Sequence, residues 1–263
     1  MKILFIGDIV GKPGREIVIN KLPDLQKKYK IDFTIANGEN LASGKGITPK
    51  IYHQMIDAGI DLITGGNHTL KREEILEIID EDKTQILRPA NWPENQPGWG
   101  FATLKKDDES LQIINLQGRT FMDETISSPF EGADKILKEY PSKFTIVDFH
   151  AEATSEKRAL AEYLDGRVGA VIGTHTHVAT CDEQILKKGT GFITDIGMTG
   201  PVDSILGVKK ELVLNRFMVN EKEIFEVAEE GPTELDGVMI ELNEKGKCAS
   251  IKRLKVESLK YKE

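Results

Sequence analysis

Five short apolar runs in this chain are each followed, within a few residues, by a side chain able to bind a metal ion or an anion. Ile3–Ile6 leads to Asp8, Phe33–Ala36 to Glu39 and Asn40, and Leu62–Thr64 to Asn67 and His68. Phe144–Phe149 leads to His150, and Gly169–Ile172 to His175 and His177. Runs of this length and composition read as strands, and helix-length amphipathic segments separate several of them. Such alternation lays strands side by side with their carboxyl ends along one edge, which is where α/β sheets collect ligands. A chain with this pattern is constrained to bring eight polar side chains to a single rim.

The same periodicity assigns the remaining elements. Lys2–Ile6, Phe33–Ala36 and Leu62–Thr64 are predicted strands, and Gly14–Lys27 a predicted helix burying Ile17, Val18, Leu22 and Leu25, its length limited by Pro23. Pro49–Ala58 is a helix with Thr48 as N-cap and Pro49 at its first position. Arg72–Asp80 is helical on a stripe of Ile75, Leu76 and Ile79. Phe101–Leu104 and Leu111–Leu116, parted by the polar turn Lys105–Ser110, form a hairpin, so antiparallel pairing enters. Helices at Glu131–Tyr140 and Glu156–Leu164, the latter stopped by Gly166, alternate with strands at Phe144–Asp148 and Gly169–Ile172. Strands at Gly191–Asp195, Gly237–Leu242 and Ile251–Val256 occupy the tail. The expected architecture is α/β, a mixed-sheet β-sandwich flanked by helices. With no internal repeat or long linker, 263 residues suit a single domain spanning 1–263.

Composition excludes several classes of function. The net charge of −8 disfavours sequence-independent binding to a nucleic-acid backbone, so no stable nucleic-acid partner is expected. No stretch of about 18 apolar residues occurs, so no membrane span is expected. The apolar run after Met1-Lys2 is too short for a signal peptide. The two cysteines, Cys181 and Cys248, form neither a disulfide framework nor a close-spaced ligand pair, and a reduced, cytoplasmic setting is the expectation.

The rim residues mix carboxylates, imidazoles and side-chain amides, which suits intermediate divalent metals rather than calcium or a thiolate zinc site. Eight candidates exceed what one tetrahedral ion needs and suit two ions sharing a carboxylate. In an extended segment His175 and His177 would share a face about 6–7 Å apart at the backbone, one for each ion. With Asp8 and Glu39 as the anionic ligands, two dications leave a formal charge of about +2, able to attract a phosphate and to acidify a bound water. Gly7, Gly38, Gly65-Gly66 and Gly173 just precede the candidates and allow sharp turns there. Singly, Asp8 reads first as a turn former or helix cap and Asn67 as a turn residue; the signal lies in the constellation. His53 reads as structural or exposed, and Phe149 and Met198 as packing residues. Ser43-Gly44-Lys45-Gly46 resembles part of a phosphate loop, but Glu39 stands at the first glycine position and Gly46 at the Ser/Thr position, so it reads as a polar loop beside the site.

Six segments carry a resemblance to a known family: Gly7-Asp8-Ile9-Val10-Gly11, Asn37-Gly38-Glu39-Asn40, Gly65-Gly66-Asn67-His68-Thr69, Arg88-Pro89-Ala90-Asn91, Asp148-Phe149-His150-Ala151-Glu152-Ala153-Thr154 and Gly173-Thr174-His175-Thr176-His177. In this order, from Met1 to about Pro201, they resemble the YmdB family of calcineurin-like metallophosphoesterases. The wider superfamily has a histidine where Val10 stands and a bridging aspartate where Glu39 stands, and both departures match the YmdB subgroup. Leu70 stands where that family often carries an aromatic residue, which implies an altered pocket wall. The resemblance implies that Asp8, Glu39, Asn40 and His177 hold one ion, that Glu39 bridges, and that Asn67, His150 and His175 hold the other. It implies two divalent ions, iron or manganese foremost, with zinc, cobalt, nickel or magnesium as alternatives. His68 is implied as a catalytic residue that assists the leaving group and is not a ligand.

The expected activity is a phosphodiesterase acting on a cyclic nucleotide, 2′,3′-cyclic by resemblance, in which a hydroxide held between the ions attacks phosphorus and His68 assists. A second reading is a phosphomonoesterase such as a nucleotidase, with Arg88 and Arg119 as candidates to meet the extra phosphate charge. A third is a regulatory protein that senses nucleotide and acts through a partner, since the family is associated with bacterial regulation of RNA turnover and colony behaviour. The resemblance also suggests a homo-oligomer.

Overall fold

The computed structural model describes residues 1–81, 84–106, 108–123, 125–219 and 224–258. β1 (Lys2–Ile6) and the two-residue β2 (Asp8–Ile9) precede α1 (Gly11–Tyr29), followed by β3 (Phe33–Asn37), α2 (Pro49–Asp57) and β4 (Leu62–Thr64). After a 3-10 turn at Glu73–Glu77 come β5 (Phe101–Lys106), β6 (Glu109–Gln117), α3 (Pro129–Glu139), β7 (Thr145–His150), α4 (Thr154–Leu164) and β8 (Ala170–Thr174). β9 (Gln184–Ile185), β10 (Gly191–Ile193), β11 (Met198–Pro201), α5 (Lys210–Met218), β12 (Thr233–Leu242) and β13 (Cys248–Ser258) follow.

One sheet has the order β2-β11-β12-β1-β3-β4, with β13 paired to β12; the other has the order β5-β6-β7-β8-β10-β9. Both are mixed. β1, β3 and β4 are parallel, while β12 runs antiparallel to β1. In the second sheet β6, β7, β8 and β10 are parallel, and β5 and β9 are antiparallel edges. The alternation along each strand divides the core. Ile3 and Phe5 face the second sheet, with Ile113, Ile146 and Ile172 across from them, whereas Leu4 and Ile6 face Val18 and Leu22 of α1. Val147 and Phe149 pack outward on Leu160 and Leu164 of α4. The result is the sandwich flanked by helices that the sequence predicts.

The inner faces turn polar at one end. Phe33 and Ile35 give way to Asn37, Leu111 and Ile113 to Asn115, Ile146 to Asp148 and His150, and Ile172 to Thr174. Register aligns these changes, since Asn115 pairs with Asp148 and His150 with Thr174. The hydrophobic core therefore ends in a buried polar cap, on which the strand-end loops rest.

Three local expectations are corrected. The helix read as Gly14–Lys27 runs from Gly11 to Tyr29 straight through Pro23. Pro23 is exposed, so the carbonyl it leaves without a donor can be solvated. Arg72–Asp80 is not an α-helix but the short 3-10 turn, in which Ile75 is buried and Leu76 exposed, with Ile79 buried just beyond it. The short strands β2, β9 and β11 and the helix α5 have no counterpart in the sequence reading. Thr48 does cap α2, its side chain accepting from the Ile51 N–H at 3.4 Å.

Asp236 of β12 provides a pH-dependent stability term. Burial pushes its carboxyl up to about 6, with Glu234 adding to the rise and Lys255 and Arg253 opposing it. The folded state thus binds this proton more tightly than the unfolded state does. The stabilisation is fully present below the unfolded value, near 3.9, and is lost as pH rises through about 6. Solvent at the carboxylate edge reduces the effect to about 1 kcal/mol. Asp236→Asn is expected to raise the thermal midpoint by roughly 2–4 °C at pH 8 and to leave it unchanged below pH ~4. Equal shifts at both pH values in a thermal melt would refute the assignment.

Candidate metal centre

The structure brings all eight rim residues together. Asp8 comes from β2, Glu39 and Asn40 from the loop after β3, Asn67 and His68 from the loop after β4, His150 from the end of β7, and His175 and His177 from the loop after β8. The Nε2 atom of His150 lies 3.1 Å from His175 Nδ1, 3.2 Å from Asn67 Oδ1 and 3.3 Å from Glu39 Oε2. Glu39, His150 and His175 offer ligand atoms all within 4.8 Å of one another. On the other side of Glu39, His177 Nε2 lies 3.0 Å from Asn40 Nδ2 and 4.0 Å from Asp8 Oδ1. His68 Nδ1 is 3.0 Å from Asn40 Oδ1 and 3.2 Å from Glu39 Oε1, and its backbone N–H donates to Glu39 Oε2 at 2.9 Å.

Each of the three histidines other than His68 is oriented from outside. His177 Nδ1 lies 3.1 Å from the Leu206 carbonyl, which can only accept, so that nitrogen carries the hydrogen and Nε2 presents a lone pair inward. His175 Nε2 lies 3.1 Å from a Glu152 carboxylate oxygen, which leaves Nδ1 to face the cluster. His150 Nδ1 lies 3.0 Å from Thr174 Oγ1, and the Thr174 hydroxyl donates to Asp148 Oδ1 at 2.8 Å. Outer partners of this kind fix the tautomer and ring plane of metal-binding histidines.

The electrostatics fit a cation site. Asp8 is fully buried, and its Oδ1 has no hydrogen-bond partner among the described residues. Burial raises the Asp8 carboxyl, against the opposing pull of His177 and His150. Burial alone would also raise Glu39, but the adjoining His150 and His68 rings hold it well below the carboxylate range. Burial would lower His150, yet Glu39 and Asp8 override it and bring the ring up to about 9. His175 is driven down to about 3 by burial and by its neighbour His150, and therefore offers a neutral nitrogen. Imidazole nitrogens turned inward, a carboxylate beside them and an orphaned buried oxygen together match the donor set of intermediate divalent ions, and a bound cation would take the place of the inner His150 proton.

The backbone is shaped to this end. A Cβ on Gly66 would come within 2.3 Å of His150 Nε2 and 2.5 Å of Glu39 Oε2, so only glycine allows the approach. The extended segment expected at His175 and His177 is not found. Both residues have positive φ, 102° and 62°, and their rings meet different partners, His175 Nδ1 against His150 and His177 Nε2 against Asn40 and Asp8. Their loop is clamped from behind by Asp195. Asp195 Oδ2 accepts the Thr176 N–H at 3.1 Å and a 2.6 Å hydrogen bond from Lys157 Nζ, while Oδ1 accepts the Gly197 N–H at 2.9 Å.

Lys157 and Asp195 are both buried, and neither is singled out from the sequence as a site residue. The available signal is Lys157, Leu160, Ala161 and Leu164 sharing one face of α4, since a lysine in a buried stripe requires a counter-charge. Arg88 is corrected in the other direction. Its guanidinium donates to the carbonyls of Pro89, Gln96 and Pro97, so it braces a loop instead of meeting a phosphate. His53 is exposed, Phe149 and Met198 are buried packing residues, and Ser43 and Lys45 stand beside the cluster as expected.

A two-sheet sandwich flanked by helices is the fold of the calcineurin-like metallophosphoesterases and 5′-nucleotidases. The 5′-nucleotidase precursor of Thermus thermophilus shares that fold with a TM-score of 0.55 at 13% identity, covering 97% of this chain and 54% of that one. Within this class the chain belongs to the YmdB-like protein family, whose family model matches residues 4–254. It is similar to the 2′,3′-cyclic-nucleotide 2′-phosphodiesterase of Bacillus subtilis (strain 168), at 52% identity over 251 residues, covering 95% of this chain and 94% of that protein. It also resembles the crystal structure of a hypothetical protein from Thermus thermophilus, with a TM-score of 0.92 at 41% identity, covering 98% of this chain and 99% of that one. Among the described residues no helix is long and apolar enough to cross a membrane.

Proposed function

We propose that this chain is a metal-dependent phosphodiesterase that opens 2′,3′-cyclic nucleotides. The observation that carries the reading is the set of three imidazoles, each held from outside so that its other nitrogen faces the cluster around Glu39 and Asp8. Asp8, Asn40 and His177 would hold one ion and Asn67, His150 and His175 a second, with Glu39 shared. Two divalent ions there, iron or manganese foremost, would acidify a water and neutralise phosphate oxygens.

The chain's own residues supply the rest. Because His68 Nδ1 is committed to the oxygens of Asn40 and Glu39, the imidazolium form has its other N–H, on Nε2, to give to a leaving oxygen. Water would add its oxygen to phosphorus and lose a proton to solvent, one P–O bond of the cyclic diester would break, and the released ribose oxygen would take the His68 proton. A cavity of about 810 Å³ opens beside Asn67 and His68, bordered by Leu70, Trp92 and Phe121. The Trp92 indole N–H donates to Gln117 Oε1 at 2.8 Å, which fixes its ring. Phe121 is 84% exposed with φ 62°, an apolar side chain held outward by a left-handed backbone. These two rings form a stacking wall for a base.

The commitment of Arg88 to backbone carbonyls favours a diester over a dianionic monoester. Protein loaded with manganese is expected to hydrolyse 2′,3′-cyclic AMP and to act poorly on a matched nucleoside monophosphate. Hydrolysis of the monoester alone would overturn the proposal. His68→Ala is expected to lower kcat on the cyclic nucleotide by roughly 10²–10⁴-fold with metal content unchanged. Loss of an ion in that variant would place His68 among the ligands.

A further inference from the structure

The site does not end at one cavity. A second one, also of about 810 Å³, opens on the Asn40 and His177 side of the cluster. Lys45, His68, Lys71 and His175 border both, so the two meet where the cluster lies. Each is large enough by itself for a whole small-molecule ligand, roughly 300–1,000 Å³. A cyclic mononucleotide carries one nucleoside, attached to its phosphate twice, and fills only one of them. A linear diester carries an organic group on each of two ester oxygens and would fill both.

Resting on the phosphodiesterase reading, we propose that the same centre cleaves linear phosphodiesters bearing a nucleoside on each side of the phosphate, the class of dinucleoside monophosphates. The second cavity has an apolar wall of Leu206, Val208, Phe225 and Val227, suited to the face of a base. Lys45 and Lys71 stand at the junction, where the single negative charge of the diester would sit. Glu152 borders the second cavity, and its charge opposes a further phosphate beyond the second nucleoside; Glu226, also on that border, is paired with Lys209. With the net charge of −8, this selects a dinucleotide over a longer strand. Water adds its oxygen to phosphorus, and the P–O bond to one nucleoside breaks. That nucleoside leaves as an alcohol with the proton from His68, the other keeps the phosphate as a monoester, and the proton lost by water restores His68 through solvent.

The test is to measure kcat/KM of manganese-loaded full-length protein on adenylyl-(3′→5′)-adenosine and on 2′,3′-cyclic AMP, for the wild type, Phe225→Ala and Trp92→Ala. The wild type is expected to cleave both. Phe225, 45% exposed, can be truncated without opening the core, and its loss is expected to lower kcat/KM on the dinucleotide about tenfold more than on the cyclic substrate. Val208→Trp, which fills the cavity instead of trimming its wall, is expected to show the same selective loss. Trp92→Ala is expected to lower both. Turnover of the cyclic substrate without the dinucleotide overturns this inference and leaves the proposed function standing; no turnover of either overturns the proposed function. Equal losses on the two substrates in both Phe225→Ala and Val208→Trp also overturn the inference.

Discussion

Glu39→Gln is expected to lower hydrolysis of a 2′,3′-cyclic nucleotide by at least about 10³-fold, on the order of 4 kcal/mol of transition-state stabilisation, with the fold retained. The amide keeps the shape of the side chain and can still accept the backbone N–H of His68. What it lacks is the negative charge between two imidazoles of the cluster, 3.3 Å from His150 Nε2 on one side and 3.2 Å from His68 Nδ1 on the other. The histidines that hold Glu39 well below the carboxylate range show how strongly its surroundings favour the charged form. Turnover, bound metal and far-UV circular dichroism measured together check the expectation. Activity near wild type would show that Glu39 does not link the two halves.

The buried pair behind the histidine loop gives the largest stability effect. Lys157→Met leaves the Asp195 carboxylate buried without its counter-charge, at a cost of about 3–5 kcal/mol. For a chain of this length the thermal midpoint is expected to fall by roughly 10 °C. Lys157→Met combined with Asp195→Asn removes both charges and keeps a side-chain oxygen for backbone N–H groups, so most of the midpoint is expected to return. Metal content separates structure from positioning. If the Asp195 clamp sets His175 and His177 through Thr176, the double variant regains stability but binds metal more weakly. A double variant with wild-type metal affinity would reduce the pair to a core brace.

The site is more legible in the sequence than the backbone that shapes it. Every one of the eight rim residues follows an apolar run, and sheet geometry alone carries such positions to one edge. The inward polar positions Asn37, Asp148 and Thr174 can be found the same way, since each continues the inner-face alternation of its strand. Spacing does not report φ, however, so the left-handed turns at His175 and His177 read as an extended segment. Elements that depend on tertiary pairing are also silent. β2 and β11 are two and four residues long and exist through tertiary pairing, Asp8 against Met198 and Ile9 against Thr199, with Gly200 and Pro201 of β11 against β12. α5 buries only Val213 and exposes Leu214, Phe217 and Met218, so it lacks the apolar stripe by which helices are recognised. The role of Arg88 is hidden because its three partners are backbone carbonyls, which any sequence offers everywhere.

Metal stoichiometry measured alongside activity tests the central claim most directly. The protein is stripped with a chelator, reloaded with manganese or iron, and analysed for bound metal and for hydrolysis of 2′,3′-cyclic AMP. The stripped protein is expected to show no turnover and to recover as about two ions bind per chain, while Asp8→Asn and Glu39→Gln recover neither. Full turnover by the stripped protein, or full recovery with a single ion, would contradict the claim.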